Sequence, residues 1–110
     1  MQNLGAFRDF FSLTEGSRAV YQEGACWIRL RVNDLGLLRL QLGEHYEGVI
    51  AELMWYKDEL VAAEGSNFNL AALLYVAERL GLPTDHPQLD PIRQTEEYKE
   101  MLRTGEIVLE

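Results

Sequence analysis

The sequence predicts an α+β domain: an N-terminal helix, a small antiparallel β-hairpin or meander over about 19–42, then three helices over about 44–63, 67–81 and 91–103. Three observations carry this reading. Apolar and polar residues alternate with period two in CWIRLRVNDLGLLRLQL. From Glu44 to Ala63 apolar residues return at helical spacing, and residues 68–80 are apolar nearly all round between cap and stop residues. A chain of 110 residues suits one domain with its own core and is short for two, so 1–110 is read as a single domain.

The first helix is expected from Leu4 to Leu13, with Asn3 as N-cap, Phe7, Phe10 and Phe11 on one face and Gly16 as its stop. In the hairpin, Ile28, Leu30 and Val32 alternate with Trp27, Arg29 and Arg31, while Leu38, Leu40 and Leu42 alternate with Leu37, Arg39 and Gln41. A loop of Asp34, Leu35 and Gly36, with Gly36 in the left-handed position, pairs Val32 with Leu38, Leu30 with Leu40 and Ile28 with Leu42. Ala19 to Gln22 adds a third strand through a Glu23–Gly24 turn, since an isolated hairpin is marginal in water. The same register sets Arg31 directly opposite Arg39, with Arg29 one step along. Like charges so placed need cover, either from carboxylates of the same chain or from an external anion or acidic segment, which makes Arg29, Arg31 and Arg39 candidate contacts.

In the segment 44–63, Tyr46, Val49, Ile50, Leu53, Leu60 and Val61 form the apolar stripe of the expected helix. Gly65 ends it, and Ser66 or Asn67 caps the next helix, which should be the most buried one and which Gly81 and Pro83 terminate. Asp90 caps the last helix with Pro91 at its first position and Gly105 as its stop; EIVLE could close the fold as a short strand. One residue fits the segment 44–63 poorly. On the helical wheel Trp55 lies about 160° from the stripe, and Lys57 lies almost on it. Around Trp55 are Gly48, Ala51 and Ala62, interleaved with Glu44, Glu47, Glu52, Asp58 and Glu59. Two readings compete. Either this strip receives a neighbouring helix and Trp55 fills the gap, or Trp55 is an exposed anchor ringed by carboxylates for a basic partner. Small Gly48 and Ala51 would also let two copies pack closely as a homodimer.

The formal charge of −8 is uneven: residues 1–43 carry five Lys/Arg and four Asp/Glu, residues 44–110 five and fourteen. That excess repels phosphate backbones and anionic lipids and favours a basic protein partner, so nucleic acid is not expected as a ligand. No apolar run reaches the length of a membrane-spanning helix, and the N-terminus lacks a secretory pattern. A single cysteine, Cys26, suits a reducing cytoplasm, and no spacing of Cys and His suggests a metal site or cofactor. Phosphate-binding loops and nucleophile motifs are missing. Arg39 and His45, six positions apart, are the one pair with catalytic chemistry, His as acid or base and Arg for phosphate, as in some helical RNases.

The order helix, hairpin, helices, with acidic charge, superficially resembles several unrelated groups of small bacterial and phage proteins: immunity proteins of secreted toxins, phage inhibitors of host defence enzymes and secretion chaperones. No motif is specific to any of them. The expectation is a non-enzymatic acidic binding module, an inhibitor or immunity-type protein occluding a basic, nucleic-acid-handling partner. The alternatives are an accessory or structural subunit and a small RNase using His45 and Arg39.

Overall fold

Five antiparallel strands in sequence order make one meander, and the helices follow. The computed structural model describes residues 16–33 and 35–107, with the backbone alone for 16–18. Strands β1 (Gly16–Glu23), β2 (Cys26–Val32), β3 (Leu37–Glu44), β4 (Gly48–Tyr56) and β5 (Glu59–Glu64) are followed by α1 (Asn67–Leu80), α2 (Asp90–Arg93) and α3 (Glu96–Thr104), with a single 3-10 turn, Pro87–Leu89, before α2. The helix expected at Leu4–Leu13 lies outside the described residues, as does Val108–Glu110 of the expected closing strand.

The α+β class holds, but its division is corrected. The segment 44–63 is not a helix; it is the β4–β5 hairpin, and the small hairpin is part of a five-stranded sheet. Within that sheet the β2–β3 register is the expected one: Val32 pairs with Leu38, Leu30 with Leu40, Ile28 with Leu42 and Arg31 with Arg39. Gly36 takes φ 80°, and Asn33 holds the turn by accepting at Oδ1 from the amides of Leu35 and Leu37. In β4, Ala51, Leu53 and Trp55 face the core while Glu52, Met54 and Tyr56 face away, which is strand alternation. Three bulges, at Val20, Ile50 and Val61, insert an extra residue and shift that alternation.

All the helices lie over one face of the sheet. Helix α1 rests on β3 and β4 and is covered in turn by α2 and α3, so Leu70 to Ala77 and Leu80 are buried. Its apolar surround therefore has a partner on each side. Ser66 caps its start, accepting at Oγ from the Asn69 amide, and Gly81 closes it in a left-handed conformation. The expected last helix is broken. Asp90–Arg93 ends at Gln94, and Thr95 starts α3 by accepting at Oγ1 from the Tyr98 amide. A Ser/Thr cap inside a periodic segment competes with continuing the helix, and here the cap wins.

The helix layer is pinned to itself by polar contacts. The Tyr98 hydroxyl donates to Glu78, and Arg93 reaches both Glu78 and the Thr84 carbonyl, the latter at 2.6 Å. Burial first, then the hydrogen bond to anionic Glu78, pushes the Tyr98 hydroxyl up to about 12 from its ordinary 10.0.

Candidate partner-binding surfaces

The residues that sequence reasoning gathered around Trp55 separate in space. Trp55 is 1 % exposed, on the core face of the sheet, and its indole N–H donates to the Pro83 carbonyl at 2.7 Å. Ala51 is buried beside it in the same row. Neither can meet a partner, and the exposed-anchor reading of Trp55 is corrected: strand alternation turns it inward. A recess of about 210 Å³ next to the indole is lined by Val32, Leu38, Leu82 and Pro83 and bounded by the Lys57–Asp58 turn. Glu52 lies on the opposite face and accepts from Gln41 Nε2 at 2.6 Å. Asp58 and Glu59 sit at the β4–β5 turn, and Glu44, Glu47 and Gly48 sit at the other end of β4. Nine residues of strand put those two ends about 25 Å apart.

Arg39 and His45 do not converge either. Arg39 is in the middle of β3 and His45 is in the turn after it, so about 20 Å of extended chain separates them. Among the described residues, no three His, Cys, Asp or Glu side chains are grouped to hold a metal ion.

Two surfaces do assemble. The first is the end of the sheet where the β1–β2 and β3–β4 turns meet, tied by the His45 amide donating to the Ala25 carbonyl at 2.9 Å. Glu23, Glu44 and Glu47 surround a recess there, with Cys26 and Ile50 among its walls. From this end Tyr46 projects, 86 % exposed, its ring edge-on to His45 at 5.1 Å and its amide held by Glu44 Oε1 at 3.3 Å. Val49 is exposed nearby in the chain. Sequence reasoning placed Tyr46 in a helical stripe; the signal it missed is the run EHYEG, which reads as a polar turn ending in a glycine at φ 77°.

The second surface is the face of the sheet away from the helices. It presents Arg29, Arg31, Leu37, Arg39, Met54 and Tyr56 in strand register, with Gln41 buried among them. At one side Trp27 pairs with Gly43, and its ring lies so close over that glycine that an added Cβ would fall 1.9 Å from Cζ2. The indole thus covers a backbone that no side chain shields. The Arg29 guanidinium stacks on the same ring, 4.6 Å from its centroid.

No helix of the described residues is long and apolar enough to cross a membrane. Compared with protein-family models, curated proteins and solved structures, the chain matches none.

Proposed function

We propose that the protein is a non-enzymatic, acidic protein-binding module that occludes a basic partner, in the manner of an inhibitor or immunity protein, and that it engages that partner at the β1–β2/β3–β4 end of the sheet. The observation that carries this reading is Tyr46, an aromatic ring almost wholly in solvent, in the same turn as Glu44 and Glu47, which with Glu23 line the recess at this end of the sheet. An exposed aromatic contributes binding area at small entropic cost, and its π face attracts Arg or Lys. The surrounding carboxylates speed the encounter with a cationic surface and select against anionic ones. The net charge of −8 acts in the same direction at longer range.

The test is capture of a basic protein by the immobilised chain. Tyr46→Ala, and separately the double change Glu44→Lys with Glu47→Lys, should abolish capture while leaving the melting temperature within a few degrees, because these side chains are exposed or half-exposed turn residues. Capture that is unchanged in both variants, or that selects acidic proteins, would refute the reading.

A further inference from the structure

The arginine-bearing face of the sheet has features that the acidic end does not explain. Arg31 and Arg39 are direct cross-strand partners in a chain of net charge −8, and neither forms an ion pair among the described residues. Like charges directly opposed on a sheet repel, and the carboxylate diagonal to Arg39 in strand register, Glu52, is hydrogen-bonded to Gln41 instead. Arg39 Nε is buried with no hydrogen-bond partner. Next to it in the strand pattern, Gln41 is 4 % exposed; it donates through Nε2 to Glu52 and leaves Oε1 buried and unpartnered. One orphan is a donor and the other an acceptor: Arg39 lies directly across from Arg31, and Gln41 directly across from Arg29. Buried polar groups in native proteins are paired, and both atoms are closed to solvent, so a ligand that pairs them must draw the Arg39 and Gln41 side chains outward and offer an anionic acceptor and an N–H donor a short distance apart.

We infer that this face binds an acidic peptide segment of another protein, with a carboxylate seated over Arg31 and Arg39 and a peptide N–H turned to Gln41 Oε1. The inference goes beyond the basic-partner reading and does not rest on it. Two things favour peptide over nucleic acid. A polyanion longer than the patch would run into Glu52, Glu59 and Glu64, which lie at its β4–β5 side, whereas a segment with one or two carboxylates stops within it. The rest of the face, Trp27, Leu37, Met54 and Tyr56, is aromatic and aliphatic surface of the kind found at the centre of protein interfaces. Arg29, held against Trp27, is already ordered and loses little freedom on binding.

The chain contains two tryptophans, one on each face of the sheet, and they report separately. The probe is a short fluorescein-labelled peptide in which Asp and Leu alternate with Ser, alongside versions with Asn or Lys in place of Asp, and a single-stranded oligonucleotide. Anisotropy with the full chain should show the Asp peptide binding at least about tenfold tighter than the Asn version, with affinity falling between low salt and about 0.3 M NaCl. The indole N–H resonance of Trp27 should shift on titration while that of Trp55, turned into the core, stays in place. Arg39→Glu should abolish binding, and Arg39→Gln should weaken it while keeping the fold, as checked by circular dichroism. No binding of the Asp peptide, equal binding of the Asn and Asp peptides, stronger binding of the Lys peptide or the oligonucleotide, or a shift confined to Trp55 would each overturn the inference. Dimerisation of the free chain that Arg39→Glu removes would do the same, by assigning the face to a second copy.

Discussion

Replacing Trp55 separates the core-facing geometry from any surface role. The ring is 1 % exposed, it sits in the row Leu38–Trp55–Leu60 of the sheet, and its N–H is satisfied by the Pro83 carbonyl. Trp55→Ala removes the largest side chain of the core and should cost about 3–5 kcal/mol, from lost transfer free energy plus the cavity left behind. Trp55→Phe keeps most of the apolar volume but strands the Pro83 carbonyl, which faces the space the indole N–H leaves. That should cost about 1–3 kcal/mol. A domain of this size is stable by roughly 5–15 kcal/mol, so the Ala variant loses a large fraction of its margin. The assay is urea unfolding followed by far-UV circular dichroism. The midpoint should fall with little change in slope, and the melting temperature of the Ala variant should drop on the order of 20 °C. A loss below about 1 kcal/mol for Trp55→Ala would refute the inward placement and return the indole to solvent.

Three further outcomes follow from the same packing. The β4–β5 turn holds Lys57 at φ 51° and Asp58 at φ 65°, where side chains are strained, so Asp58→Gly should stabilise the protein by about 0.5–1 kcal/mol in thermal unfolding; destabilisation would show that the Asp58 side chain contributes more than its strain costs. Gly43→Ala should push Trp27 off the sheet, cost about 1–3 kcal/mol and shift the tryptophan emission to the red; unchanged emission would contradict the stacking. Tyr98 is held protonated in the folded state up to about 12, above its ordinary 10.0, so the native chain binds the extra proton between those values. Its contribution is therefore complete below pH 10 and is lost as pH rises toward 12. Alkaline urea titrations should show this loss shrinking in Tyr98→Phe, and an identical pH profile would count against it.

The sequence determined what local chemistry determines. The β2–β3 register was legible because hydrophobic alternation and the Asn33–Gly36 turn agree on one pairing, and a one-residue slip would turn Ile28, Leu30 and Val32 to solvent. The extent of α1 was legible because Ser66 and Gly81 satisfy its ends, and its all-round apolar surface announced its burial. The opposition of Arg31 and Arg39 came with that register. What the tertiary structure decided was the state of residues 44–63. Bulges at Ile50 and Val61 set apolar neighbours side by side, Val49 with Ile50 and Leu60 with Val61, and this imitates the three- and four-residue spacing of a helix. Glu, Leu, Met and Ala in that stretch also favour a helix locally. Pairing with β3 and burial under α1 outweigh that preference, and the misfit of Trp55 on the helical wheel was the trace of the period-two pattern underneath. Both surfaces, the acidic end around Tyr46 and the arginine-bearing face around Arg39, exist because the meander brings together turns and strand rows that lie far apart along the chain.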